Sequence, residues 1–193
     1  IETHTQNVAA ANRKKDARKN EFDLLKSMVE KLEGFPESIK FLHQNWRKDV
    51  PVLTDLIYTE EKYRSAIESF LEPYLNYHVV SNEEEAIQAI RLLHGNAKGK
   101  ANFFILSKFK SEKIVPAEIV GFKSAISLIE TDALYQPLLY SLLNNVYVKD
   151  AESYLEDVMD FPEDVSVISL SGSIIRQRNS ISGGSVGLFE GKK

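Results

Sequence analysis

Residues 56–71 read LIYTEEKYRSAIESFL, and residues 128–143 read LIETDALYQPLLYSLL, with the same order of apolar and polar positions. The matching positions are Ile57 and Ile129, Thr59 and Thr131, Tyr63 and Tyr135, Ile67 and Leu139, and Leu71 and Leu143. In both copies a short apolar run precedes apolar residues at helical spacing. The repeat indicates that one structural unit occurs twice in the chain.

The repeat continues towards the carboxyl end of each copy. HVVSNEEEAIQAI, residues 78–90, aligns with VYVKDAESYLEDV, residues 146–158. The second alignment pairs Val80 with Val148, Asn82 with Asp150, Ile87 with Leu155, and Ile90 with Val158. Each copy is typical of a strand, a capping residue and an amphipathic helix. Two copies of strand–helix–strand–helix predict an α/β (α+β) fold made of two related lobes.

Local signals divide the first copy into elements. VLTDLIY, NYHVVS and ANFFILS are strand-like, and a lysine-rich connector follows over residues 108–123. Thr59 and Asn82 are expected to cap the two intervening helices. We expect lobe I to span residues 34–123 with this connector, and lobe II to span residues 124–185.

The first 33 residues have no proline or glycine, and Phe22, Leu25, Val29 and Leu32 follow a heptad seam. This predicts one coiled-coil arm over residues 1–33, ending at Gly34, and a new helix from Pro36 to Gln44. A further helix is expected to begin near residue 186 and to run to the end of the sequence. Because the chain starts at Ile1, we expect it to be a segment of a longer protein.

Composition excludes several classes of protein. The 193 residues are 43% hydrophobic, carry a net charge of −4 and include no cysteine. Disulfides, thiolate metal sites and cysteine nucleophiles are therefore excluded, and an intracellular location is expected. No apolar run is long enough for a membrane span. The net charge is unlike that of a dedicated nucleic-acid binder, although residues 98–123 hold six lysines against two acids.

Catalytic motifs are missing from the sequence. The four histidines, at positions 4, 43, 78 and 94, lack metal-binding spacing, and the acids Glu83–Glu85 suit the first turn of a helix. GLFEGKK at the carboxyl end has too few residues between its glycines for a phosphate-binding loop. We therefore expect no enzyme activity, cofactor or metal in this segment.

The most specific motif lies near the carboxyl end: Gly172, then SIIRQR, Asn179, SIS, and Gly183–Gly184. This arrangement resembles the glycine motif of the hinge domain of structural maintenance of chromosomes (SMC) proteins, especially bacterial ones, with Asn179 in place of the second glycine. The resemblance covers residues 32–186. Asparagine tolerates positive φ better than other side chains, so the turn is expected to survive.

The resemblance implies that residues 186–193 begin a second coiled-coil arm, which pairs antiparallel with the arm of residues 1–33. It also implies a homodimer that joins two SMC chains at the far end of these arms. ATP chemistry would then lie in head domains outside this chain, and the protein would be cytoplasmic and associated with the nucleoid. An extended edge at Ser173–Gln177 is expected to pair with the partner. The expected contact residues are Gly172, Ser173, Ile174, Ile175, Asn179, Ile181, Gly183, Gly184 and Ser185.

The resemblance also implies weak, sequence-independent contact with DNA through basic residues. The candidates are Arg176, Arg178, Lys98, Lys100, Lys192 and Lys193. No membrane or small-molecule partner is expected. The alternative interpretation is a two-lobed α/β domain with a helical extension that binds a small ligand or catalyses a reaction.

Overall fold

The computed structural model describes Lys15, Arg18, Lys19 and residues 34–110, 116–150 and 164–184. The four helices within these ranges are α1 (Glu37–Asn45), α2 (Glu61–Leu71), α3 (Glu83–Gly95) and α4 (Gln136–Leu143). The strands are β1 (Tyr58–Thr59), β2 (His78–Val80), β3 (Phe103–Ile105), β4 (Phe122–Ser124), β5 (Ile129–Glu130), β6 (Val146–Lys149), β7 (Ser166–Ile168), β8 (Ile174–Gln177) and β9 (Ser180–Gly183).

The predicted repeat is confirmed for the elements that the structure describes, whereas the second helix predicted for the second copy, after Asp150, lies outside the described residues. A 3-10 helix, Leu53–Leu56, precedes β1 in the first copy, and another, Ala125–Leu128, precedes β5 in the second. The helices α2 and α4 correspond, as do β2 with β6 and β3 with β7. Both β2–β3 and β6–β7 are parallel pairs, and α3 connects the two strands of the first pair.

The strands form three sheets. The two copies meet in a small antiparallel pair, where Thr59 of β1 lies opposite Ile129 of β5. The first copy contributes the β2–β3 pair, extended by an isolated bridge between Val52 and His78. The second copy contributes a five-stranded sheet in the order β4–β6–β7–β8–β9. Its hairpin β8–β9 has no counterpart in the first copy among the described residues.

The two copies exchange their helices. Tyr63, Ile67 and Leu71 of α2 pack with Val146 and Val148 of the large sheet in one buried cluster. The second cluster joins Leu138 and Leu139 of α4 to Leu53 and Val79 of the first copy. Each lobe therefore buries a helix of the other copy, and apolar contacts cross the predicted boundary at residue 123. The exact lobe boundaries stay a prediction.

Two local predictions about the first copy are wrong. VLTDLIY is not one strand, because Leu53–Leu56 form a 3-10 helix in which the Asp55 side chain accepts a hydrogen bond from the Val52 backbone N–H at 3.1 Å. Thr59 does not cap α2. Thr59 instead pairs with β5, and its hydroxyl is buried. Glu60 occupies the N-cap position of α2 without a side-chain hydrogen bond.

Other signals are confirmed. The Asn82 side chain caps α3 by accepting a hydrogen bond from the Glu85 backbone N–H at 3.0 Å. Pro36 precedes α1 as its N-cap. The predicted coiled-coil arms, residues 1–33 and 186–193, lie outside the described residues apart from Lys15, Arg18 and Lys19, which are helical.

A candidate interface at the edge of the large sheet

The strand β9 forms an open edge of the large sheet. All four of its residues are exposed, and it pairs antiparallel with β8 on one side only among the described residues. An edge of this kind presents backbone N–H and C=O groups that another strand can satisfy. The predicted edge at Ser173–Gln177 is wrong, because β8 lies inside the sheet between β7 and β9.

The glycines of the motif have different reasons to be glycine. A Cβ on Gly172 (φ +73°) would lie 2.5 Å from the Ser65 carbonyl oxygen and 2.5 Å from the Ser69 hydroxyl oxygen, so packing within the chain requires glycine there. At Gly183 a Cβ would make ordinary contacts. At Gly184 it would meet nothing within 4 Å, but the φ of +156° there strains any residue other than glycine. Packing within the described chain therefore leaves space at both positions for the close approach of another backbone.

Serine side chains hold the segment that leads into β8. The Ser169 hydroxyl accepts a hydrogen bond from the Ile174 backbone N–H at 3.0 Å, and the Ser171 and Ser173 hydroxyls lie 2.8 Å apart. The Gly184 N–H donates to the Ser173 carbonyl at 3.2 Å. These bonds fix the carboxyl end of β9 to the loop before β8.

A groove of about 430 Å³ runs beside β9. One side is formed by Glu68, Ser69, Glu72 and Leu75 from α2 and the turn after it, and the other by the glycine segment. The two glutamates give this side of the edge strand a negative rim. The groove is open to solvent.

The remaining predicted contact residues fall into three groups. Ile174 and Ile175 lie in β8 and are half-buried, packed on opposite faces of the sheet. Asn179 is exposed in the turn between β8 and β9, and it does not use positive φ: among described residues other than glycine, only Ala97 and Asn145 do. The turn therefore needs no glycine at this position. Ser185 lies outside the described residues.

The structure puts the predicted basic residues on two separate elements. Lys98 and Lys100 follow α3, where the Lys98 ammonium lies 3.2 Å from a Glu37 carboxylate oxygen. Arg176 lies in β8 and its guanidinium donates to the Val165 carbonyl at 3.4 Å, while Arg178 is exposed in the hairpin turn. Lys192 and Lys193 lie outside the described residues.

Sequence reasoning missed a second open edge, at β3. This strand pairs with β2, and no other described strand pairs with its far side. Phe103 packs towards α1 and α3, whereas Phe104 contacts the cluster around α4. The continuous apolar run in ANFFILS predicts a strand but not whether both of its sides are paired. The signal that was available is the repeat itself, since β3 is the counterpart of β7.

A network of polar side chains ties α2 to the large sheet. The Asp150 carboxylate accepts hydrogen bonds from Lys62 at 2.8 Å and from the Tyr63 hydroxyl at 2.6 Å. Lys123 in β4 donates to the Tyr63 oxygen at 2.8 Å. The bonds from Lys62 and Tyr63 lower the pKa of Asp150 to about 2. These hydrogen bonds hold α2 against the large sheet, so the network has a structural role.

His78 is the one titratable side chain buried in β2. Its ring stacks on Phe103 at 5.5 Å between centroids, and neither nitrogen has a hydrogen-bond partner among the described residues. Burial lowers the pKa of His78 to about 4, because the charged ring would lose its hydration. The ring is therefore a neutral packing element at pH 7.

Within residues 34–110, 116–150 and 164–184, no cluster of three or more histidine and acidic side chains is placed to hold a metal ion. None of the helices that the structure describes combines the length and the apolar character that a bilayer crossing requires.

Comparison with known proteins agrees with this architecture. Residues 47–154 match the family described as the SMC proteins flexible hinge domain. The chain is 34% identical over 169 residues to the chromosome partition protein Smc of Chlorobaculum tepidum, covering 86% of this chain and 14% of that protein. It is 26% identical over 175 residues to the protein of the same name from Bacillus subtilis, covering 85% of this chain and 15% of that protein. The chain thus spans about a seventh of these relatives.

Solved structures share the fold. An asymmetric dimer of the Geobacillus stearothermophilus SMC hinge domain matches with a TM-score of 0.80 at 23% identity, over 96% of this chain and 80% of that one. The Pyrococcus furiosus SMC hinge domain matches with a TM-score of 0.64 at 22% identity, over 84% and 88%. Since the family match alone covers more than half of the residues, the chain belongs to the family of SMC hinge domains.

Proposed function

We propose that this chain joins two copies of an SMC protein by forming a homodimer through two strand edges, β9 of one copy and β3 of the other. The observation that carries the proposal is the open, fully exposed β9 edge with Gly183 in it, a glycine that neither packing within the described chain nor a positive φ requires. Backbone pairing there would satisfy the free N–H and C=O groups of both strands.

The internal repeat indicates where β9 docks. In the second copy, β7 pairs with β6 on one side and with β8, antiparallel, on the other. Its counterpart β3 pairs with β2 and has no described strand on its other side. The position that β8 fills beside β7 is thus free beside β3, and an antiparallel strand from a second copy fits it.

Two-fold symmetry makes this contact occur twice. Each copy offers one β9 edge and one β3 edge, so both edges of both copies are used when the dimer closes. Closure leaves no free β9 or β3 edge from which further copies could add. The expected product is a dimer and not a filament.

The proposed role is mechanical. The dimer would connect the coiled-coil arms of two SMC chains for chromosome organisation and segregation in the cytoplasm, at the nucleoid. We propose no catalytic role and no cofactor for this segment. ATP binding would belong to other parts of the full-length protein.

Contact with DNA is a second proposed role. Arg178 in the hairpin turn and Lys100 after α3 are exposed, so both can reach phosphate groups. Such contacts would be independent of sequence and would weaken as salt rises.

Light scattering of the purified chain across a wide concentration range tests the dimer. We expect a dimer, and we expect Gly183→Glu with Gly184→Glu to give a monomer whose circular dichroism is unchanged. The control variant Ala133→Glu with Gln136→Glu adds the same charge at exposed positions and should stay dimeric. A wild-type chain that is monomeric at every concentration overturns the proposal.

A further inference from the structure

The helix α3 carries apolar side chains that nothing in the described chain covers. Ile87 is 40% exposed and Ile90 is 50% exposed, although Ala89 and Leu93 of the same helix are buried against α1. Ile90 also lines a cavity of about 660 Å³ with Leu93, Ala97 and Ala101. Exposed aliphatic side chains beside an apolar cavity are typical of a contact surface.

This side of α3 is turned towards the open edge of β3. The cavity that Ile90 lines is also bordered by Ala101 and Asn102, the residues that lead directly into β3. A strand added beside β3 would therefore run past the exposed face of α3. Its side chains on the α3 side of the sheet would meet Ile87 and Ile90.

The strand β9 carries one large apolar side chain, Ile181, which is 52% exposed. In the hairpin, Ile181 lies opposite Arg176 and therefore on the same face of the sheet as Ile174, away from α2. Ser182 lies opposite Ile175, which packs on the α2 side. Ile181 thus belongs to the face that the exchanged helix does not cover.

Antiparallel pairing brings the corresponding faces of the two copies to the same side. In this arrangement the second copy is rotated by 180° about an axis perpendicular to the sheet. Such a rotation does not exchange the two faces of a sheet. The face that α2 covers in one copy therefore continues the face that α4 covers in the other. In the first lobe the face away from α4 is the one on which Phe103 packs with α3. Ile181 of the added strand then points to α3.

We propose that Ile181 of a second copy packs against Ile87 and Ile90 of α3, beside the cavity at the carboxyl end of this helix. The inference rests on the proposed dimer and adds the side-chain contact that selects the β3 edge as the docking site. It gives the exposed isoleucines on both surfaces a common partner. Burial of these side chains would also favour the antiparallel orientation, since a parallel strand would place Ile181 on the opposite face.

Disulfide trapping tests the contact, because the chain has no cysteine of its own. We expect Ile90→Cys with Ile181→Cys to give a covalent dimer under mild oxidation that reductant dissolves. The pair Val120→Cys with Ile181→Cys is the control, since Val120 is exposed but lies before β4, and it should stay unlinked. A covalent dimer from Ile181→Cys alone would mean that β9 pairs with β9, and it would overturn the inference.

A second measurement covers the case in which the cysteines fail to react. Ile181→Ala and Ile90→Ala should each weaken the dimer by on the order of tenfold, since each removes buried methylene groups from the contact. The double variant should lose less than the product of the two effects. A wild-type dimer that tolerates Ile181→Ala without loss refutes this contact but leaves the dimer standing, whereas a monomeric wild type refutes the dimer itself.

Discussion

Gly172 packs on Ser65 so closely that a Cβ would lie 2.5 Å from the Ser65 carbonyl oxygen. The contact joins the loop before β8 to α2, the helix that the first copy donates to the large sheet. The glycine therefore serves the fold of one chain. Gly183 and Gly184 lie at the opposite end of the same motif and have space around them.

Gly172→Ala should destabilise the chain strongly, because it adds both a steric clash and a side chain at positive φ. We expect a loss of about 3 kcal/mol in the free energy of unfolding, measured by urea denaturation. Gly121→Ala is the matched control. Its φ is +81°, but a Cβ there meets nothing within 4 Å, so only about 1 kcal/mol should be lost. If both variants lose the same free energy of unfolding, the contact between Gly172 and Ser65 does not contribute to stability.

The sequence predicts the repeated strand–helix units because capping residues and helical spacing are local signals. Asn82 and the buried stripe of α2 were predicted in this way. The exchange of α2 and α4 could not be predicted, since the spacing of Tyr63 and Ile67 shows which face of a helix is buried but not against which sheet. The prediction that Thr59 caps α2 was wrong for the same reason. Thr59 has the chemistry of a cap, but a distant strand uses its backbone.

The candidate interface was predicted in part. The glycine motif pointed to the correct hairpin, yet the edge was assigned to Ser173–Gln177, because an extended segment of sequence does not show which strand of a hairpin lies outside. The strand β3 is an edge because no described strand pairs with its far side. The repeat matches β3 with β7, but the structure is needed to show that β8 pairs with β7 and that no described strand takes this place beside β3.

His78 should make stability depend on pH. The unfolded chain binds a proton at this ring near pH 6.5, but the folded chain binds it only near pH 4. The free energy of unfolding should therefore fall as the pH is lowered through this window, by up to about 3 kcal/mol. His78→Phe keeps an aromatic ring on Phe103 and should remove this part of the decline.

Urea denaturation at pH 7 and pH 4.5 measures the effect, with His94→Gln as the control because His94 is exposed. The control should decline as the wild type does. If His78→Phe declines equally, another group is responsible.

Tyr63 should control the titration of Asp150. Lys62 and the Tyr63 hydroxyl both donate to the carboxylate and hold its pKa near 2, against an ordinary value of 3.8. In Tyr63→Phe we expect this pKa to rise towards 3.8 without reaching it, because Lys62 remains. Carbon-detected NMR titration of the Asp150 carboxyl measures the change.

The direction of this pKa shift sets the pH range in which the bonds from Lys62 and Tyr63 to Asp150 stabilise the fold. A lowered pKa means that the ion pairs stabilise the fold above pH 4 and lose their effect as the pH falls towards 2. Lys62→Met should raise the pKa of Asp150 further than Tyr63→Phe, since the Lys62 bond is the largest cause of the shift. A pKa that stays near 2 in both variants would mean that these bonds do not form in solution.

The hairpin arginines should contribute to any binding of DNA. Arg176→Glu with Arg178→Glu should weaken binding at low salt, and the slope of log affinity against log salt should fall by about 1, because Arg178 is exposed whereas the Arg176 guanidinium donates to the Val165 carbonyl. Gel-shift titrations at several salt concentrations give both quantities. Lys40→Glu with Lys48→Glu makes the same change in charge elsewhere on the chain and serves as the control. If both double variants weaken binding equally, the arginines act only through net charge, and if neither does, the hairpin is not a DNA contact.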